Sequence, residues 1–244
     1  MNMDLEICVN SIQSAYNAKQ GGATRVELCQ NLNEGGTTPS YATIDYCANK
    51  LGLRTYVLIR PRTGNFTYNE LEFETVCQEV ELCKQLGASG VVVGFLDNNG
   101  NVDKEKTKEI VRRAGNMEIT FHRAFDICSN PMQALEDVIE CGCTRILTSG
   151  WKNTAFEGMS LLKDLVQQAS GRIKIMAGSG VNTNNVLEII QTTGVGEVHS
   201  SCKHNIGEWK EEDAEQYLDK SNKCHSETNA EEVSKLVALI NNIK

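Results

Sequence analysis

Short runs rich in β-branched residues alternate with longer helical patterns along the whole 244-residue chain, and this alternation constrains the fold most. The starts of the runs lie 20 to 35 residues apart, which is the length of one strand–helix unit. Eight such units in ~250 residues predict a single-domain (β/α)8 barrel, the TIM barrel. An open doubly wound sheet is the alternative, but it would have fewer strands and usually a G-x-G-x-x-G turn after the first strand, which the chain lacks. The predicted strands are Leu5–Cys8, Arg25–Cys29, Thr55–Arg60, Gly90–Phe95, Glu118–Arg123, Arg145–Thr148, Arg172–Ala177 and Gly196–His199.

The segments between these runs carry helical patterns and helix boundaries. Apolar residues recur every three or four positions in 73–86, 159–166, 186–190 and 233–240, as on one face of a helix. Pro39 and Pro131 each follow a capping residue and are expected at the first helical position. The polar stretch 202–230 is predicted to be a long loop between the eighth strand and the last helix.

Charge and cysteine content exclude several protein classes. The net charge of −8 argues against nucleic acid or an anionic membrane as a partner, since both require a basic surface. Ten cysteines are about 4% of the chain, below the ~8–10% of a disulfide scaffold. The chain opens without the basic and apolar regions of a secretory signal, and no apolar run reaches ~20 residues. We therefore expect a cytoplasmic protein whose cysteines are free thiols.

Acidic and thiol side chains stand at the ends of the first two predicted strands. Alternation along a strand turns Glu6 and Cys8 into the barrel, and Glu27 and Cys29 repeat the pattern on the neighbouring strand. Because barrel active sites lie at the carboxyl ends of the strands, Glu6 and Glu27 are candidate acid/base residues with divergent pKa values.

Basic side chains stand at the same end of the barrel. Arg60 and His122 are candidate catalytic residues, His122 as a proton shuttle, and Arg62 and Arg123 are candidates for holding an acidic ligand. The structural alternative is that Arg60 and Arg123 merely neutralise the two glutamates in buried ion pairs. A histidine on a buried strand, such as His199, is more often a satisfied core residue.

Three short loops after strands six, seven and eight are candidates for anion binding. Glycine lets backbone N–H groups approach an anion, and barrels often bind phosphate after strands seven and eight. The alternative for each loop is a plain tight turn. The candidate residues are Ser149, Gly178, Gly180, Ser200 and Ser201.

Cys8 and Cys29 end adjacent strands in equivalent positions, so their sulfurs could meet. Two thiolates suit a soft ion such as Cu(I), and the pair is the candidate metal site. A rival cluster lies in the polar stretch, although its spacing matches no zinc pattern. It consists of Cys202, His204, Cys224 and His225.

Nine short blocks between residues 5 and 201, in order, closely resemble the CutC family of copper homeostasis proteins. They include Leu5–Cys8, Gly21–Cys29, Glu34–Ser40, Ile59–Arg62, Thr120–Asp126, Met176–Val181 and Glu197–Ser201. The resemblance implies a cytoplasmic (β/α)8 barrel that is usually a homo-oligomer and is linked to copper. It also implies that the family's candidate Cu(I) thiols fall on Cys8 and Cys29. It stops at Ser201.

Two functions follow as hypotheses. The first is copper homeostasis, with Cu(I) bound by thiols at the barrel mouth. The second is a barrel enzyme performing acid/base chemistry on a small anionic or phosphorylated metabolite. Neither hypothesis requires a nucleotide cofactor.

Overall fold

Eight parallel strands close into a barrel in the computed structural model, which describes residues 3–207 and 225–242. Each strand pairs with the next in chain order, and β8 pairs with β1. The TIM-barrel prediction is therefore confirmed, and every predicted strand lies within two or three residues of an observed one. The strands are β1 Asp4–Val9, β2 Arg25–Leu28, β3 Arg54–Leu58, β4 Gly90–Val93, β5 Glu118–Phe121, β6 Arg145–Thr148, β7 Lys174–Ala177 and β8 Glu197–Ser200.

Helices surround the barrel and pack their apolar faces on it. The long amphipathic helix α3, for example, buries Val76, Cys77, Val80 and Cys83. The helices are α1 Ile12–Gln20, α2 Tyr41–Asp45, α3 Glu70–Gln85, α4 Lys104–Ala114, α5 Pro131–Cys141, α6 Met159–Ala169, α7 Val186–Thr193 and α8 Ala230–Asn241. A π-helical turn, Tyr46–Lys50, continues α2, and 3-10 turns cover Leu32–Glu34 and Arg123–Ile127.

Local sequence explains where two of these helices begin. Asn130 caps α5 by accepting from the backbone of Met132 and Gln133, and Pro131 occupies the first helical position as expected. The expectation for Pro39 is wrong by two residues, because Ser40 caps α2 and the helix begins at Tyr41. A serine hydroxyl at the cap satisfies an unpaired N–H group, and this outweighs the preference of proline for the first position.

Strand register brings the candidate residues together. Cys8 on β1 lies opposite Glu27 on β2, and Glu6 lies opposite His199 on β8. The main apolar core fills the space between strands and helices, whereas a separate small cluster occupies the barrel interior. That cluster consists of Cys8, Cys29, Tyr56, Leu58 and Val92.

The sequence predicted a loop over the whole stretch 202–230, but part of this stretch forms strands. Lys203–Ile206 forms β9 and His225–Thr228 forms β10, and the two pair antiparallel, with Ile206 opposite His225. Alternating polar side chains hid these strands from an apolar-periodicity reading. Residues 208–224 of the predicted loop lie outside the described part of the chain.

Among the described residues, no helix has both the length and the apolar character to cross a bilayer.

Candidate functional site

A cavity of about 410 Å³ opens at the carboxyl ends of the strands. Its size lies in the range of small-molecule sites, and its position is where barrel enzymes place their chemistry. Three of the side chains that line it are cationic and one is a glutamate, although the whole chain is acidic. The lining residues that bear on function are Cys8, Glu27, Cys29, Arg60, Phe66, His122, Arg123, Gly180, His199, Ser200, Ser201 and Lys203.

Two buried thiols form one wall of the cavity. Cys8 Sγ and Cys29 Sγ lie 3.8 Å apart, and Cys29 Sγ also contacts the Val9 carbonyl oxygen at 3.5 Å. The hydrogen bond with Cys29, together with burial, raises the pKa of the Cys8 thiol well above its ordinary value. The raised pKa favours the protonated Cys8 thiol, and both sulfurs line one cavity.

A carboxylate–histidine–carboxylate chain lies beside the thiols. His199 Nδ1 donates to Glu6 Oε1 at 2.9 Å, and His199 Nε2 lies 3.6 Å from Glu27 Oε2. Burial opposes the charged form of His199, but the hydrogen bond to Glu6 and the charge of Glu27 raise its pKa. Burial raises the pKa of Glu27, whereas His199 and Arg25 outweigh burial at Glu6 and lower its pKa. The two carboxyl groups thus differ in acidity, as the sequence suggested.

An ion cluster fills the barrel below this chain. Arg25 Nε contacts Glu6 Oε2 at 2.8 Å, and Arg25 Nη2 contacts Glu197 Oε2 at 2.5 Å. Arg145 also pairs with Glu197. The alternative that Arg60 and Arg123 neutralise the glutamates is therefore wrong in its partners, because Arg25 and His199 occupy that position. Glu6 is fully buried in this cluster and does not line the cavity.

Arg60 and His122 line the cavity after β3 and β5. Arg60 donates to the carbonyl oxygens of Glu34, Gly36 and Gly64 at 2.8–3.2 Å. The Phe66 ring lies between the two residues, 5.0 Å from Arg60 Cζ and 4.7 Å from the centroid of the His122 ring. Burial and the Arg60 charge lower the pKa of His122 to about 3, which favours the neutral ring near neutral pH.

The predicted anion loops are only partly at the cavity. Gly180, Ser200 and Ser201 line it, but Ser200 Oγ donates to the Val181 carbonyl at 2.7 Å. Ser149 instead contacts Asp126 through both its backbone and its hydroxyl. Gly178 does not line the cavity, because it packs against Leu147 and His199.

The other two predicted arginines differ in their placement. Arg62 does not line the cavity, since Glu72 and the carbonyl groups of the 63–67 loop hold it. Arg123 does line it, while Arg123 Nε also pairs with Asp126 Oδ2 at 2.6 Å.

The rival cysteine cluster gains no support within the described residues. Cys224 lies outside them, His204 is exposed, and His225 contacts Glu227. Within the described part of the chain, the group whose ligand atoms converge consists of Cys8, Glu27 and His199, all within 4.8 Å of one another. All nine cysteines described are free thiols.

Sequence reasoning missed two residues that organise this site. Arg25 was read only as the start of a strand, although a charged residue two positions before Glu27 shares its inward face. His199 was interpreted as a core residue. Its strand, β8, pairs with β1 to close the barrel, and this pairing places His199 opposite Glu6. Barrel closure joins the first strand to the last, and this pairing would have signalled their contact.

Comparison with known sequences agrees with this architecture. A profile of the CutC family matches residues 3–204. A CutC family protein of Histophilus somni is 49% identical over 201 residues, covering 82% of this chain and 83% of that protein. One from Xylella fastidiosa is 42% identical over 236 residues, covering 97% of this chain and 88% of that protein.

Solved structures agree as well. The crystal structure of CutC from Streptococcus agalactiae, a protein named for copper homeostasis, superposes with a TM-score of 0.78. It is 34% identical and covers 82% of this chain and 98% of that one. A phosphoribosylanthranilate isomerase from Thermotoga maritima has a TM-score of 0.59 at 12% identity, a likeness of fold alone. The profile, the relatives and the barrel agree, and the chain belongs to the CutC family.

Proposed function

We propose that this protein serves copper homeostasis by binding one Cu(I) ion through Cys8 and Cys29. The observation that carries the proposal is the 3.8 Å separation of the two sulfurs in the wall of the cavity. Metal–thiolate bonds are about 2.3 Å long, so two sulfurs on one ion lie up to about 4.6 Å apart. The existing separation fits within that limit without movement of the strands.

The donor set also fits the ion. Thiolates are soft ligands and select Cu(I). Cys8 lies on β1, and Cys29 directly follows the last residue of β2. Burial keeps the pair dry, with exposures of 6% for Cys8 and 1% for Cys29. Binding would displace the thiol protons, since the thiolate is the ligand form.

An anaerobic Cu(I) competition titration tests this proposal. We expect one tight site per chain, lost when Cys8→Ser and Cys29→Ser are combined. The matched control combines Cys77→Ser and Cys141→Ser, two free cysteines on helices outside the cavity, and should retain the site. Unchanged affinity in the Cys8/Cys29 variant would refute the proposal.

A second function is favoured by the cationic lining of the cavity. Cu(I) gives no reason for Arg60, Arg123 and Lys203 to converge on one space, whereas a small anionic or phosphorylated metabolite does. The His199 chain would supply acid/base groups for such a substrate. A thermal-shift screen against a metabolite library tests this function, because a ligand of the native state raises the melting temperature. A library in which no anionic compound raises it would refute this function.

A further inference from the structure

Within residues 3–207 and 225–242, Arg60 is a buried cation that has no carboxylate partner. Its exposed fraction is 5%, and its hydrogen bonds within the described residues go only to backbone carbonyl oxygens. Carbonyl dipoles solvate a guanidinium but do not neutralise it, and an uncompensated buried charge is costly. The cavity beside it is therefore suited to an anion.

His122 is a buried donor for which the described part of the chain provides no acceptor. Its Nδ1 accepts the N–H of Ala124 at 3.1 Å, which assigns the proton of the neutral ring to Nε2. The side chain is 6% exposed, and Nε2 has no hydrogen-bond partner within the described part of the chain. A buried N–H group of this kind normally has an acceptor.

Packing fixes the direction of this N–H group. The Nδ1 and Cε1 edge of the ring lies over Gly94, where a Cβ would come within 2.4 Å of both atoms. Phe66 covers the ring at a centroid distance of 4.7 Å. His122 lines the cavity, and with that edge and that side occupied, Nε2 is its buried polar atom that still lacks a partner within the described residues.

We propose that Arg60 and the Nε2–H group of His122 bind one oxyanion, a carboxylate or a phosphate, at the carboxyl ends of β3 and β5. This inference rests on the second function proposed above and places its anion beside β3 and β5. The sequence placed it instead at the loops after β7 and β8. A neutral imidazole donates without adding charge, and Arg60 supplies the attraction, so each residue has a separate task.

Isothermal titration with oxalate and with inorganic phosphate tests the site. The probe that binds more tightly identifies the class of oxyanion. We expect one anion per chain, a loss of at least tenfold in affinity for His122→Phe, and substantial retention for His122→Gln, whose amide keeps an N–H donor. His225→Phe makes the same change at an exposed histidine outside the cavity and should bind as the parent does.

A spectroscopic measurement separates binding from folding. In protein labelled with ¹⁵N-histidine, the His122 Nε2 resonance should report a protonated, neutral ring and should shift when the anion is added. Arg60→Lys keeps the charge without the planar fork and should weaken binding with the His122 tautomer intact.

The outcomes distinguish this inference from the functions it extends. Parent-like binding by folded His122→Phe, or an unmoved Nε2 resonance, overturns the inference while leaving an anionic ligand elsewhere in the cavity. Absence of binding by both probes also overturns it, and the metabolite screen then decides the second function independently. The Cu(I) titration is unaffected by either result.

Discussion

Single residues at this site differ most from expectation where their partners come from distant parts of the chain. Cys8 and Cys29 could be placed together because strand alternation and equivalent positions are local properties. The structural alternative paired Arg60 with glutamates, but Arg60 contacts carbonyl oxygens of two loops whose paths no local pattern specifies. Residue type thus predicted at which end of the barrel Arg60 lies, whereas the conformation of the loops determines which atoms it contacts.

The protonation of His122 has a measurable consequence for stability. Its pKa is about 3 in the folded chain and about 6.5 when unfolded, so the unfolded state binds one more proton between these values. The free energy of unfolding should therefore fall as pH falls through this window, by roughly 2–3 kcal/mol between pH 7.5 and 4.5. Urea unfolding at both pH values should show this decrement reduced by that amount in His122→Phe.

The comparison needs an exposed histidine that lies outside the cavity. His225→Phe serves, because His225 is exposed and its substitution should leave the pH decrement as in the parent. Equal pH decrements in the parent and His122→Phe would contradict a neutral His122.

Gly94 is a second residue whose identity the site requires. A Cβ there would lie 2.4 Å from the His122 ring and 2.9 Å from Ala124 Cβ. Gly94→Ala should destabilise the protein by about 1–3 kcal/mol, the cost of overpacking a core. Gly196→Ala is the control, since nothing lies within 4 Å of its Cβ position, and its change should stay within about 0.5 kcal/mol. Similar unfolding midpoints for the two variants would contradict this packing.

The positions of strands and helices were predicted well from the sequence wherever hydrophobic periodicity was strong. The eight barrel strands and the helices α3, α6, α7 and α8 were predicted from apolar spacing. The β9–β10 ribbon was missed because its burial pattern is mostly exposed on β9 and its side chains are polar. Register between strands also escaped prediction, since a pattern of period two does not say which residues pair.

The strands are joined inside the barrel by charge as well as by hydrogen bonds. Glu197 on β8 contacts Arg25 on β2 and Arg145 on β6, and its exposed side-chain fraction is 3%. The two arginines outweigh burial and hold the pKa of Glu197 at about 2. Glu197→Ala should cost about 3–5 kcal/mol, because it removes the carboxylate that the two buried arginines share and leaves their charges incompletely compensated.

An exposed ion pair provides the matched comparison. Glu136 pairs with Arg172 on the surface of α5, and Glu136→Ala should cost no more than about 1 kcal/mol. Chemical denaturation of both variants measures the difference. Comparable losses would show that the barrel interior is more solvated than its packing indicates.

At the scale of the whole molecule, the chain is acidic, but the charged side chains that line its cavity are mostly cationic. The net charge is −8, yet Arg60, Arg123 and Lys203 gather at the mouth of the barrel. Total composition correctly describes the outer surface but carries no information about how charge is distributed between surface and cavity. The family was predicted from the resemblance of the sequence blocks, whereas the arrangement of the cavity became visible only in the fold.

Metal loading should stabilise the whole barrel if Cys8 and Cys29 bind Cu(I). At free Cu(I) one hundred times the dissociation constant, the gain is about 2.7 kcal/mol. For a domain of this size that corresponds to a rise of roughly 5–10 °C in melting temperature. Anaerobic calorimetry should show the rise in the parent and in the Cys77/Cys141 serine variant. The same rise in the Cys8/Cys29 serine variant would contradict the assignment.

The β9–β10 ribbon brings the two ends of one chain segment side by side next to the barrel. The chain leaves at Ile206 and returns at His225, and these residues are cross-strand neighbours. Asn17 donates to the Thr228 carbonyl, and Asn229 donates its backbone N–H to the Cys202 carbonyl, so both strands are anchored next to α1 and α8. The two ends of the connection between these strands therefore lie next to each other. This place in the chain is suited to grafting a reporter domain or an affinity tag, because an insertion there begins and ends at one point beside the barrel.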